Sequence, residues 1–317
     1  MRIVDLTPAP VVPRDGWDRP LVIPKQGGKP VPLTRTTTFI DCIEDKSALG
    51  DWHKRMTLVG AAKRPSMLDV VKQLNPDDQG DKRKLNTLAD QAIDIAGANT
   101  KREKGTYLHT LSEYVDRGEP LPAGTAALDL RDMTAYMGAT VDFEVKAVER
   151  FVVVPELGTG GTFDRLLEYA GPDPEGKHVE GRFIGDLKTG SVRYGALKMA
   201  SQLAVYSRGE FYDYTRFPVD PADRKAFAAW KKREVPAEEA AQAYTSLPGD
   251  VSQKWGIIIN LPAGSGDCTL HWVDLEIGWA AAKLAREIRV MRSVKGAMRP
   301  WVSGLTDPKV AQLRPAC

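Results

Sequence analysis

The chain has 317 residues, 42% of them hydrophobic and 27% charged, with 44 basic and 42 acidic side chains and a formal net charge of +2. That length can bury a sizeable core, and the near balance of charge excludes a strongly cationic nucleic-acid coat while leaving room for a local basic groove. No apolar run approaches the ~20 residues of a membrane helix, and the proline-rich start lacks the apolar stretch of a secretory signal. The expected location is therefore the cytoplasm, with no membrane partner.

Residues 1–35 read as an extended, Pro-rich arm, and residues 36–100 as a helical part. Within it, Ser47 is placed to cap a helix carrying Leu49, Trp52, Met56 and Val59 at near 3.6-residue spacing. Ser66 is placed to cap a second helix that ends before Pro76, and a third is expected over 82–96. A fourth runs over about 105–116 and stops at Gly118 and Pro120; residues 125–138 suggest another.

The composition then turns to Val and Phe. Strands are expected over 143–154, 163–169 and 179–187, followed by a helix over about 192–208. Residues 213–250, charged and with several prolines, read as a surface insertion containing a short helix. A hairpin over 255–261 and 269–274 and an amphipathic helix over about 278–294 close a core spanning 101–300, with 301–317 as a tail. This order implies an α/β fold, a mixed β-sheet flanked by helices with an N-terminal helical part, in one unit. Cys42, Cys268 and Cys317 are far apart, and no CxxC occurs, so neither a zinc knuckle nor an iron–sulfur cluster has its usual spacing.

The stretch from 163 to 188 carries the chemistry. Gly171 to Lys177, with two prolines and two glycines, is a turn signal centred on Pro174. That centre sets Asp164 opposite Ile184, and a shift of one residue sets it opposite Asp186, so the two aspartates are expected to be cross-strand neighbours within about 5–8 Å. Two carboxylates ~4 Å apart repel by about 4 kcal/mol at an effective dielectric near 20, and a cation, a proton or a lysine resolves that conflict. Lys188 is two residues from Asp186 on the same strand and faces the same way, with Leu187 pointing into the core. Two carboxylates, an ammonium and the Leu187 backbone carbonyl converging at a strand end suit Mg²⁺ or Mn²⁺ and phosphodiester hydrolysis. Lys188 would then orient or deprotonate the attacking water, or stabilise the pentavalent state. The plainer alternative is a surface hairpin with an Asp186–Lys188 salt bridge. The reading of the turns also puts Glu149 opposite residue 167, far from Asp164.

The following helix is expected to bring Tyr194, Lys198, Gln202 and Tyr206 onto one face, a set suited to a nucleic-acid strand through stacking and phosphate pairing. Upstream, the basic cluster Lys101, Arg102 and Lys104 offers Arg102 and Lys104 as candidate DNA contacts.

Taken in order, Gly161-Thr162-Phe163-Asp164-Arg165, then Ile184-Gly185-Asp186-Leu187-Lys188-Thr189-Gly190, then Gln202-Leu203-Ala204-Val205-Tyr206 resemble the G-x-x-D, D-x-K-T-G and Q-x-x-x-Y series of the RecB-type branch of the PD-(D/E)XK nuclease superfamily. Gly105-Thr106-Tyr107-Leu108-His109 resembles the family's G-x-x-x-H helix. The resemblance covers residues 105–206. It implies that His109, Asp164 and Asp186 are metal ligands, that Lys188 is the catalytic lysine, and that Gln202 and Tyr206 belong to the active site. Glu113, one turn after His109, is placed to orient the imidazole. Unlike several relatives of this branch, the chain has neither four cysteines for an iron–sulfur cluster nor the nucleotide-binding loop of a helicase. Its size and its N-terminal block resemble the RecB-like exonucleases of actinobacterial phages.

The leading expectation is a Mg²⁺- or Mn²⁺-dependent DNA exonuclease serving phage recombination or replication in the host cytoplasm. DNA is its partner, and a recombinase or single-strand-binding protein is a candidate further partner. A structure-specific endonuclease and a non-catalytic DNA-binding protein on the same fold are the alternatives.

Overall fold

The computed structural model describes residues 12–298 and 301. The first part of the expected arm, residues 1–11, and all of the expected tail after residue 301 lie outside the described residues.

Prolines at 20, 24, 30 and 32 keep the first described segment out of helix. It runs as β1 (Leu21–Val22) and β2 (Val31–Pro32), paired antiparallel, and then β3 (Thr34–Arg35), which lies parallel to the start of β5. Leu21, Val22 and Ile23 are buried against Tyr212, Tyr214, Phe217, Trp230 and Val235. The segment is therefore extended, but its apolar side chains are packed down.

The helical part comprises α1 (Thr36–Ile40), α2 (Ser47–Lys63), α3 (Ser66–Val71) and α4 (Gln79–Ile95). Ser47 opens α2 without capping it: its backbone N–H and hydroxyl both donate to Asp45 Oδ1, at 2.9 and 2.6 Å. Ser66 likewise opens α3 rather than capping it. Asp78 caps α4 by accepting from the N–H groups of Gly80 and Asp81, the usual remedy for unsatisfied donors at a helix start. Next come α5 (Ala98–Asp116) and α6 (Ala127–Ala139).

The sheet follows: β4 (Glu144–Val154), β5 (Thr159–Pro172), β6 (His178–Lys188), then α7 (Ala196–Tyr206) and β7 (Glu210–Tyr212). The 213–250 stretch holds two short helices, α8 (Arg224–Trp230) and α9 (Ala237–Ala241), and a strand, β8 (Tyr244–Ser246). β9 (Trp255–Asn260), β10 (Thr269–Asp274) and α10 (Leu275–Ser293) complete the chain's described elements. The strand order is β10-β9-β6-β5-β4-β7-β8, with β3 added against β5. Only β6–β9 and β3–β5 are parallel, so the sheet is mixed and its flanking helices make the fold α/β.

Both faces of the central strands are covered. On one, Leu108, Leu111, Met133 and Tyr136 of α5 and α6 pack on Leu167, Leu187, Ile257 and Ile259. On the other, Leu203, Ala204 and Tyr206 of α7 pack on Phe163, Ile184 and Ile258. Each such large apolar side chain contributes about 1.5–3 kcal/mol on burial. These two layers hold α5 and α7 over the end of β6, where the signature residues lie.

Candidate active site

The β5–β6 hairpin turns about Glu175, one residue beyond the centre expected from sequence, since Arg165 pairs with Gly185 and Pro172 with His178. Of the two registers that the turn allowed, the structure therefore takes the one that brings Asp164 to Asp186. Beyond Arg165 and Gly185 the regular pairing stops, and β6 continues beside β9 through Lys188–Asn260. The Leu187 N–H, freed from the ladder, donates to Asp164 Oδ2 at 2.8 Å. The site sits in this fork.

Three potential ligand side chains converge there. His109 Nδ1 lies 3.4 Å from Asp164 Oδ2, and one donor atom each from His109, Glu149 and Asp164 lie within 4.8 Å of one another. Glu149 was expected far away. The β4–β5 connection turns through Pro155–Leu157, and β5 begins at Thr159 rather than at 163. Val148 pairs with Arg165 and Arg150 with Phe163, which leaves Glu149 across from Asp164. Its backbone is left-handed, with φ of 48°, a conformation that costs a non-glycine residue about 1–3 kcal/mol and collects at functional sites.

Asp186 is in the same fork but is turned to other partners. It is 3% exposed, forms an ion pair with Lys188, and accepts from Gln202 Nε2 at 3.1 Å. Gln202 thus reaches Asp186 from α7. Tyr206 is buried at the end of the same helix beside Phe163. Of the Leu187 peptide, whose carbonyl was expected to face the ion, it is the N–H that reaches the cluster, through its bond to Asp164 Oδ2.

The electrostatics are those of crowded acids. Burial, then the nearby Asp164, push the Asp186 carboxyl up to about 7. Burial, then Asp164 and Glu113, push Glu149 up to about 8. Burial holds the His109 imidazole below its ordinary value despite the opposing pull of Asp164, and a neutral imidazole is the form that ligates metal. Behind the cluster, fully buried Arg165 donates to Asp116 Oδ2 at 2.6 Å and to Ser112 Oγ at 2.5 Å. Tyr136 donates to the other Asp116 oxygen at 2.7 Å. The network ties β5 to α5 and α6.

Two motif glycines have a spatial reason. A Cβ on Gly105 would meet Thr189 Oγ1 at 2.7 Å, and one on Gly161 would meet the Tyr206 ring at 2.9 Å. Both let a helix close on the fork.

Other expected contacts are arranged differently. Glu113 pairs with Arg117 at 2.8 Å, one turn further along α5, instead of bracing His109. Lys198 is held by Asp41 at 3.0 Å and Glu44 at 2.5 Å, and Lys104 by buried Asp129; these ammonium groups are engaged within the protein. Tyr194 is 74% exposed but is not on α7, because Gly195, at φ of 87°, starts that helix after it. Arg102 is exposed and lines a cavity of about 520 Å³ together with His109 and Glu149.

Two carboxylates and an imidazole held this close make a donor set that could hold a metal ion. A search against protein-family models gives no match for the chain, and a search of curated proteins finds none similar to it.

Proposed function

We propose that this protein is a divalent-metal-dependent DNA exonuclease of the RecB-like type, acting in the cytoplasm on DNA ends during phage recombination or replication. The observation that carries the reading is the fork: His109, Glu149 and Asp164 clustered within 4.8 Å, with the Asp186–Lys188 pair on the neighbouring strand. No helix among the described residues is long and apolar enough to cross a membrane.

In this reading His109, Glu149 and Asp164 hold the ion, with Asp186 beside them. A bound Mg²⁺ or Mn²⁺ supplies charge against the phosphate oxygens and acidifies water. Lys188 keeps its ammonium against Asp186 and presents its remaining donors to the phosphate, where negative charge develops. Gln202 grips the other Asp186 oxygen and fixes that carboxylate's orientation from α7. The Arg165 network keeps Asp164 and His109 at a constant separation by binding their two elements together.

The test is digestion of end-labelled duplex DNA with Mn²⁺ or Mg²⁺ and with chelator. The wild type is expected to release label only with metal, and the Asp186→Ala, Lys188→Ala double variant to lose on the order of 10³ in rate. Equal rates for the two proteins would end the proposal. Covalently closed circular DNA should survive; its cutting would assign an endonuclease instead.

A further inference from the structure

The helix α10 has two apolar faces. One is the face that a surface helix turns to its core: Leu275, Gly278, Ala282 and Ala285 are buried. A Cβ on Gly278 would meet the Ala200 carbonyl oxygen at 2.3 Å, so α10 lies tight on α7. The other face points away from the protein. On it Ile277, Leu284 and Met291 recur at every seventh position and are 58%, 57% and 67% exposed. Ala280 is exposed between them, and Ile288 is half-buried beside them. An outward face is ordinarily polar, and apolar residues repeating every seven positions form the seam that one helix offers to another.

Charge says which helix. An edge of one sign would call for a partner of the opposite sign, but this edge carries both, with exposed Glu276 at the start of the seam and exposed Arg292 at its end. Between them Lys283 and Glu287, four apart, offset each other on one flank. Such an edge is complementary to itself turned end for end. In an antiparallel pair related by a two-fold axis through Leu284, each residue faces the one equally far past Leu284 in the second copy. Leu284 then meets Leu284, Ile277 meets Met291, Ala280 meets Ile288, and Glu276 meets Arg292. With about 3.6 residues per turn, the two members of each pair lie at one height and on one side of the seam. Apolar groups meet apolar groups, and each copy's acid meets the other's base, twice by symmetry. The antiparallel arrangement also sets opposite ends of two helix dipoles side by side. Because α10 is already fixed on α7, little freedom is lost on pairing.

We infer that α10 is a homodimer interface, in which two copies of this chain pack their α10 helices antiparallel about a two-fold axis at Leu284. None of these residues belongs to the fork, so the inference stands apart from the nuclease reading.

The experiment is sedimentation velocity of the full chain in chelator, from about 1 to about 100 µM, since association depends on concentration. A particle of twice the chain mass should form as concentration rises. Leu284→Glu brings two carboxylates together on the axis and should weaken the dimer on the order of a hundredfold or more, leaving monomer. Glu276→Arg and Arg292→Glu each set like charges face to face and should weaken it several-fold, and the two combined should restore it. Helices packed about 8–10 Å apart bring residues on the axis within reach of a disulfide. Under mild oxidant Leu284→Cys should therefore cross-link two chains, beyond the level that the parent's own cysteines give. Ile277→Cys, about 20 Å from its own copy, should not, whereas Ile277→Cys combined with Met291→Cys should. A melting curve for each variant separates lost association from lost fold. A monomer at the highest concentration overturns the inference and leaves the seam to residues 302–317 or to a different protein. A ring of three or more copies, a dimer indifferent to Leu284→Glu, or charge reversals that do not compensate overturn it too.

Discussion

Replacing Glu149 by glutamine separates two effects of its carboxyl, repulsion without metal and ligation with it. Burial and the charges of Asp164 and Glu113 raise this group from 4.5 to about 8. Unfolded, the carboxyl is ionised at pH 7; folded and metal-free, it stays protonated. Each pH unit above the unfolded value opposes folding by about 1.4 kcal/mol, so at pH 7 the native state gives up on the order of 3 kcal/mol. The sign follows from the direction of the shift: the contribution to stability is fully present below about 4.5, falls as pH rises, and is lost once pH passes about 8. Glutamine keeps the shape and does not titrate. Urea unfolding in chelator should therefore find Glu149→Gln close to wild type at pH 5 and more stable by on the order of 3 kcal/mol at pH 7, with the difference largest and constant above pH 8. With saturating Mn²⁺ the order should reverse, because the wild type alone keeps the full ligand set. A difference independent of pH, or a variant less stable in chelator at pH 8, refutes the electrostatic account of the site.

Metal binding should be coupled to proton release: with Glu149 near 8 and Asp186 near 7, calorimetry at pH 7 in two buffers of different ionisation enthalpy should detect about one proton or more liberated. Apparent affinity should rise with pH between about 6 and 9, and Mn²⁺ should bind more tightly than Mg²⁺ because one ligand is an imidazole. Arg165→Met leaves Asp116 buried without its guanidinium partner and should cost about 3–5 kcal/mol in denaturant unfolding. Gly161→Ala sets a methyl against the Tyr206 ring; an overpacking cost of about 1–3 kcal/mol is expected in the same assay.

The β5–β6 hairpin was legible because its proline- and glycine-rich turn limits the register to two choices, one of which joins Asp164 to Asp186. Glu149 was not legible. Its position depends on where the β4–β5 turn begins, since one register runs unbroken from Val154–Thr159 to Val148–Arg165, and a single residue of slip carries a side chain to the opposite face. Lys104 and Lys198 looked available because the acids that hold them, Asp129, Asp41 and Glu44, are 25 to 157 positions away. Local spacing rules see only neighbours one helical turn apart. The helix carrying Gln202 and Tyr206 was expected from about 192, but Gly195 sets its start and takes Tyr194 off the shared face.

The Ile23 amide donates to the Tyr212 hydroxyl at 2.9 Å, and the Tyr244 hydroxyl donates to the Ile23 carbonyl at 2.7 Å. Trimming the chain before Arg35 would therefore uncover Trp230 and Val235 as well. Removing residues 213–250 would in turn strip the cover from Leu21 and Val22. The two stretches can be exchanged between proteins only together, and a protease that nicks either one should loosen both.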